Sequence, residues 1–590
     1  MDLCAQVIRR VLRFGFITPL VFVVVSAAAR PAFASILSDY VATPDSAYSY
    51  APVSVTAGNG YQLHTLQMTS QQWPRSGESR TTWKHGMVIV VPNTTMSSTA
   101  MLLIGEGSNG DPLLVPRSNT DLAIQIALAT RSVVAVVAQV PNQPLFFDND
   151  NATPYFEDKL VAFSWDRAMD TGDYTWAVYL PMVKAAVRAM DTVQSYLPTA
   201  AGIAPIGDFV VIGFSKRGAA TWLTAAVDDR VRAFVPGVFD VLNMAPQFEH
   251  HFSAYGFYAP AVEEYVDFDI VRRVRTPEGT KLLEVVDPYS YRAVLTKPKF
   301  LLNSTGDQFF LPDSARFYLK HLSGETQIRY VPNTSRGLST STGGIQDALV
   351  SLVGWYQSVL LNSARPVIQW RQTTTGIAVS VSRTPIAVRL WQASNPLARD
   401  FRKETIGEAW TSTDLPVTAD GIYTVSLDSP PQGWQASFVE FVFPGPAGVP
   451  QTYSTRIFIT PDALPFSVSD PINDPQSDRF WQQQITAAAD DPDSSNPIRG
   501  YFPFPVFGRY ITSVDAAKDV FAAPGPAAQA LEECISTRLN IASGQLGWYS
   551  PVVSHDKTRP LWRVWEDANR AFQLDRPARA KELCQGLNAL

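Results

Sequence analysis

The sequence predicts an α/β fold: a mostly parallel sheet with helices on both faces, then a smaller β-sandwich and a helical C-terminal tail. Three observations lead there. At 590 residues the chain is too long for one hydrophobic core, so two or three domains are expected. Between residues 85 and 361 short apolar runs alternate with helical patterns, the rhythm of a parallel sheet wrapped by helices. At Pro366 the rhythm changes to short strands separated by Pro, Gly and Ser turns, the pattern of an antiparallel sandwich.

The chain starts with Arg9, Arg10 and Arg13, followed by an apolar run over 14–29 and the A-x-A site Ala32-Phe33-Ala34. That order predicts a signal peptide over 1–34, cleaved after Ala34, and hence a periplasmic or secreted protein; an uncleaved anchor is the alternative. Cleavage removes four arginines and one aspartate, which takes the formal net charge from −6 to −9. It also removes Cys4, so Cys534 and Cys584 remain as an even pair in an oxidising compartment, read as one disulfide against the alternative of two buried thiols. No later segment reads as a membrane span, and no stable span is expected after cleavage.

Four regions are expected: the signal segment 1–34, an α/β region 35–364, a β-sandwich 365–468, and a polar linker with a helical tail over 469–590. In the α/β region a hairpin over 48–68 turns at Gly58-Asn59-Gly60. Strands follow at 85–91, 101–105, 132–140, 208–214, 231–238, 299–303 and 327–331. Helices are expected at 121–130, 176–196, from Lys216, and at 313–322 and 344–361, with an aromatic, mainly helical insertion at about 243–295 placed to act as a lid. The sandwich strands are expected at 367–370, 376–382, 387–392, 423–427, 437–443 and 455–459, and the tail helices near 526–540 and 561–587. Trp370, Trp391 and Trp434 are read either as platforms for a carbohydrate- or envelope-binding role of the sandwich, or as large aromatics that fill its core.

Composition excludes several functions. Net charge is −6 with no basic cluster, so no nucleic-acid partner is expected. Three cysteines cannot build a multi-Cys zinc array or a disulfide scaffold. Metal-ligand spacings and dinucleotide or phosphate-loop fingerprints are missing, so no metal and no cofactor is expected.

One motif carries chemistry. Gly213-Phe214-Ser215-Lys216-Arg217-Gly218 lies directly between a strand and a helix, the context of a nucleophile elbow. Such a turn raises a serine at the end of a sheet, and the N–H of the next residue, Lys216, can stabilise an oxyanion. The usual G-x-S-x-G is shifted here, with Arg217 in the fifth position and the glycine one later. A capping serine in an ordinary turn is the plain alternative. A second oxyanion donor is expected from the glycine-rich loop 105–110, at Gly107. Asp307 is placed as the acid, with Asp240 as the alternative. The base is missing from its place. The loop after strand 327–331 reads Pro332-Asn333-Thr334-Ser335-Arg336-Gly337 and has no histidine. Of the six histidines, His64 and His85 read as structural, His321 as a helix-end residue and His555 as part of the tail. His251 in the insertion is the alternative base, with His250 beside it. The Lys216 side chain is expected to point away from the serine.

Together these residues resemble the PhoPQ-activated pathogenicity-related protein family. The resemblance rests on Asp39-Tyr40-Val41, Val140-Pro141-Asn142-Gln143-Pro144-Leu145, Trp176 with the run 181–191, Gly213 to Gly218 with Trp222, Asp240-Val241-Leu242-Asn243, Gly306-Asp307-Gln308-Phe309-Phe310, and Tyr330-Val331-Pro332-Asn333. It implies an α/β-hydrolase fold with Ser215 as nucleophile, Asp307 as acid, and a histidine where Arg336 stands. It also implies a role in bacterial virulence or resistance to cationic antimicrobial peptides, and a related eukaryotic member is a secreted growth-repressing signal. Two functions follow as expectations. One is an exported, catalytically impaired member that binds a small-molecule, peptide or envelope ligand. The other is an active esterase or amidase using Ser215 and Asp307 with a non-standard base.

Overall fold

The computed structural model describes residues 35–588 apart from 76–79, 111–112, 148–152, 342, 467–477, 491–496, 503, 508, 543–545, 547–550 and 555–556. The expected signal segment and cleavage point, and His555, lie outside the described residues.

Nine strands form the main sheet: β1 (Ser49–Gly58), β2 (Tyr61–Gln72), β3 (Thr82–Pro92), β4 (Thr99–Ile104), β5 (Val134–Val137), β6 (Asp208–Phe214), β7 (Val231–Gly237), β8 (Lys299–Ser304) and β9 (Thr326–Val331). Their order is β1-β2-β3-β5-β4-β6-β7-β8-β9. The first three are antiparallel to their neighbours, and β5 through β9 run parallel. Successive residues of β4 face opposite cores, as a strand requires. Leu102 and Ile104 pack with helices Tyr179–Ala200 and Lys216–Val227. Met101 and Leu103 pack with helices Arg117–Thr130 and Gly344–Leu360. Burial on both faces explains why these strands read as continuous apolar runs. The strand order reverses at β4, and the chain leaves β6 at Ser215 beside that crevice, where open α/β sheets place their sites.

Eight further strands follow: β10 (Ile368–Gln372), β11 (Gly376–Val381), β12 (Ala387–Asn395), β13 (Thr411–Leu415), β14 (Ile422–Ser426), β15 (Trp434–Phe443), β16 (Gln451–Ser454) and β17 (Phe458–Thr460). They form one sheet ordered β10-β11-β14 and a second ordered β13-β12-β15-β16, with β17 also on β15. This unit packs on the main sheet through aromatics. Phe300 stacks on Trp355 at 5.7 Å and meets Tyr453 edge-on at 5.7 Å. The Tyr330 N–H on β9 donates to Ser454 Oγ at 3.2 Å.

Several elements depart from the sequence reading. The expected helix 313–322 is two short 3-10 turns, Ser314–Phe317 and Leu319–His321. Tyr318 between them leaves helical geometry at φ −139, and its hydroxyl bonds the buried Asp240 carboxylate. Of the expected strand 455–459 only Phe458 and Ile459 are strand, in β17; β16 ends at Ser454, and in the stretch between them Arg456 stacks on Phe458. The strand expected over 132–140 ends at Val137, and Gln139 turns back at φ 54. Helices Glu157–Thr171, Asp478–Asp490 and Val514–Ala522 and strand β13 were not anticipated.

Cys534 and Cys584 are disulfide-bonded, joining helix Pro526–Ala542 to helix Pro577–Asn588. These tail helices share a core with Phe252, Tyr258, Val262, Val266 and Val271 of the segment between β7 and β8. Buried Arg538 donates to the Gly256 carbonyl at 2.8 Å, and Arg563 to the Val266 carbonyl at 3.0 Å. The tail thus braces the helical segment that roofs the crevice.

Candidate active site

Ser215 sits at φ 59, ψ −129, a left-handed conformation that costs a non-glycine residue on the order of 1–3 kcal/mol. Two glycines permit it. A Cβ at Gly213 would lie 2.5 Å from the Arg217 carbonyl oxygen, and one at Gly218 2.9 Å from Phe239 Cβ. The shifted motif is thereby explained: close approach to β7 falls on Gly218, and the Arg217 side chain leaves the turn. Its Nε donates to the Val140 carbonyl at 2.7 Å, and its Nη2 meets Glu157 at 2.7 Å. Gly218 and Ala219 return their N–H groups to the Ser215 carbonyl, and Lys216 occupies the open first turn of the helix.

Arg336 fills the space between serine and acid. Its Nη2 donates to Ser215 Oγ at 2.7 Å. Its Nη1 donates to both Asp307 oxygens, at 3.2 and 3.3 Å. The guanidinium is stacked by Phe309 at 4.0 Å and Phe310 at 4.6 Å. The Arg336 backbone N–H is held by Gln308 Oε1 at 3.1 Å. Asp307 in turn receives the Phe309 N–H at 2.7 Å and is 7% exposed. A guanidinium has five donors, no acceptor, and keeps its proton in proteins. The serine oxygen therefore accepts a hydrogen bond where a general base would have taken its proton.

The alternatives fare differently. Asp240 follows β7, three residues past its end, and its carboxylate receives the hydroxyls of Tyr318 and Tyr330, the latter at 2.7 Å, so the structure pairs Asp307 and not Asp240 with the elbow. His251 does not serve Ser215 either: its Nε2 accepts the Ala259 N–H at 3.0 Å and its ring lies between Tyr255 and Tyr258. Burial pushes that imidazole down to about 3. His250 bonds Asp313 at 2.9 Å, His64 bonds Tyr196, His85 bonds Ser70 and the Ala138 carbonyl, and His321 bonds Tyr289. Gly107 sits at φ 142, packed against Gln139, with its carbonyl accepting from Gln143; it does not line the pocket at Arg336. Lys216 lines that pocket, and its ammonium is tied to Glu157 and to Asp158 at 3.1 Å.

The pocket is nearly filled. It measures about 40 Å³, against about 300–1,000 Å³ for ordinary ligand sites. Met244, Phe248, Val262 and Tyr265 from the helical segment form its roof. Sequence reasoning missed Glu157 and Asp158, which neutralise Lys216 and Arg217. Burial opposes the charge on Glu157, yet Arg217 and Lys216 hold its carboxyl well below the usual carboxylate range. The signal was present: Leu160, Val161, Phe163, Ser164 and Ala168 mark the buried side of that helix. Among the described residues no cluster of His, Cys, Asp and Glu could hold a metal ion, and no described helix is long and apolar enough to cross a membrane.

Asp240 gives a pH test. Burial pushes its carboxyl up from 3.8 to about 7 despite the two tyrosine hydrogen bonds. The folded state thus retains a proton that the unfolded chain has lost, so this stabilising contribution is complete below the unfolded value near 4 and disappears as pH rises through about 7. Asp240→Asn removes the dependence: relative to the native protein, the melting temperature of the variant is expected to rise between pH 4 and pH 7. A constant difference across that window refutes the assignment.

The strand order, the strained serine at the end of β6 and the carboxylate after β8 define a protein of α/β-hydrolase fold. The chain belongs to the PhoPQ-activated pathogenicity-related protein family, whose sequence profile matches residues 37–402. It is 33% identical over 465 residues to autocrine proliferation repressor protein A of Dictyostelium discoideum, covering 74% of this chain and 92% of that one. Among solved structures, an acetyl xylan esterase from Paenibacillus sp. R4 aligns at 12% identity and TM-score 0.37, over 54% of this chain and 90% of that one. Acetyl xylan esterase 1 from Thermoanaerobacterium sp. JW/SL YS485 aligns at 15% identity and TM-score 0.37, over 53% and 90%.

Proposed function

We propose that this protein is an exported, catalytically silenced member of its family that acts by binding, in envelope, virulence or antimicrobial-peptide-resistance biology. The observation that carries the reading is Arg336, whose guanidinium bridges Ser215 and Asp307. It blocks the site in two ways: it cannot accept the serine proton, and with Phe309 and Phe310 it occupies the room a substrate carbonyl needs. Losing the base of a serine hydrolase costs about 10⁶ in rate, with roughly 10³–10⁴ over water surviving from oxyanion stabilisation and binding. Ser215 and Asp307 are then inherited nucleophile and acid, and Lys216 N–H is an oxyanion donor without a reaction to serve. A relative named for autocrine repression of proliferation fits a signal more readily than a catalyst. The Cys534–Cys584 disulfide suits an oxidising compartment.

The experiment is labelling of the purified protein with a fluorophosphonate. Ser215 is expected to remain unmodified under conditions that label an active serine hydrolase to completion. Stoichiometric modification of Ser215, abolished in Ser215→Ala, refutes the reading. It would favour the second one, an active esterase or amidase, for which the retained strained backbone at Ser215 speaks.

A further inference from the structure

Where the main sheet meets the sandwich, a cleft of about 940 Å³, sharing no lining residue with the Arg336 pocket, opens along β10, the segment before β9 and the β16–β17 corner. A second cavity of about 320 Å³ continues it along 372–376 and 459–462. Arg316, Gln372, Arg456 and Phe458 line both. Junctions between structural units are common ligand sites, and this volume is in their range.

Arg456 stands at the junction of the two cavities. Its guanidinium lies 3.8 Å from the Phe458 ring centroid, and its Nη1 donates to the Ile457 carbonyl at 3.0 Å. Among the described residues no carboxylate comes within 4.0 Å of it. The nearby acids, whose charges partly offset its own, are already engaged: Asp313 with His250 at 2.9 Å and Arg399 at 2.8 Å, Asp462 with Arg316 at 2.7 and 2.8 Å, and Glu325 with Arg365 at 2.8 Å. Burial and the Arg316 charge push the Arg456 guanidinium below the ordinary arginine value, so its positive charge is held there at a cost. Lys320, exposed at the rim, has no acidic partner among the described residues. A stacked guanidinium is a pre-set fork for a carboxylate.

The uncharged part of the lining is mixed, with Leu319, Ile328 and Val367 beside polar amides and hydroxyls and the rings of Trp370, Tyr453 and Phe458. Trp370 lines the cleft from β10, whereas Trp391 stacks on Phe438 and Trp434 bonds the Ala463 carbonyl. Gln369 and Gln372 add amides, and Thr373, Thr374 and Thr375 add hydroxyls. Amides and hydroxyls match sugar hydroxyls, and a ring face matches the apolar face of a pyranose. An acidic peptide would need a row of cations; here Arg456 and Lys320, without an acidic partner within 4.0 Å among the described residues, share the lining with the acids Glu325 and Asp462, whose charge disfavours a polyanionic chain.

We propose that this cleft binds an acidic oligosaccharide, with Arg456 receiving a sugar carboxylate and Trp370 a ring face. The site does not depend on the reading of Ser215. The test is calorimetric titration of the full chain with hexagalacturonate, its methyl ester, and hexaglutamate. Binding of hexagalacturonate alone is expected. Arg456→Gln should weaken it about tenfold or more, and Lys320→Gln a few-fold, as loss of charge-assisted hydrogen bonds does. Absence of hexagalacturonate binding, equal binding of the methyl ester, or unchanged affinity in folded Arg456→Gln overturns the proposal. Hexaglutamate binding as tightly as hexagalacturonate overturns the sugar assignment in favour of an acidic peptide. Should Arg456→Gln fail to fold, unchanged affinity in Lys320→Gln, a surface substitution, overturns it.

Discussion

Replacing Arg336 by histidine is expected to raise hydrolysis of an activated aryl ester by about 10²-fold, the lower end of what a general base supplies. The argument is geometric. Arg336 places one terminal nitrogen 2.7 Å from Ser215 Oγ and the other 3.2 Å from Asp307, the two bonds an imidazole would make with its own two nitrogens. An imidazole can accept the serine proton while donating to the carboxylate; a guanidinium can do only the second. The gain is placed low because histidine is the shorter side chain, and the turn that carries residue 336 is pinned to Gln308. Initial rates with a nitrophenyl ester, with Ser215→Ala added as the control, measure the effect. A folded Arg336→His protein with an unchanged rate would show that the silencing lies elsewhere, first of all in the filled pocket.

Breaking the Cys534–Cys584 bond, by Cys534→Ser with Cys584→Ser, should destabilise the tail by about 4 kcal/mol, the chain-entropy value for closing a loop of 50 residues. The consequence reaches further than the tail. Helix Pro526–Ala542 carries both Cys534 and Arg538, and Arg538 holds the Gly256 carbonyl at the end of helix Met244–Tyr255. That helix contributes Met244 and Phe248 to the pocket roof. Amide hydrogen exchange should therefore accelerate in 526–588 and, by a smaller factor, in 244–273, with the main sheet unchanged. Faster exchange confined to the tail would mean that the roof stands without its brace.

Much of this was legible in the chain. Strands such as Asp208–Phe214 are short apolar runs buried on both faces, and they were found to within a residue or two. Ser215, Asp307 and Arg336 lie after β6, β8 and β9, the loops that motif and strand order already mark in the sequence. Errors gathered where a tertiary contact overrules local pattern. Tyr318 interrupts an expected helix because Asp240 draws in its hydroxyl, and the strand expected from 455 begins only at Phe458, on which Arg456 stacks. Helix Glu157–Thr171 was missed although its acids neutralise the cations of the elbow.

The sequence by itself determined the strand–turn–helix at the serine, the family, and the absence of histidine from the loop after β9, since each is written in neighbouring residues. Only the tertiary structure decided where Arg336 points, that Asp307 rather than Asp240 meets it, and that among the described residues no carboxylate lies within 4.0 Å of Arg456 in a cleft between sheet and sandwich. Those depend on distances between residues far apart in the chain. A charge's partner is set by the packing of whole elements, and residue spacing carries no record of it.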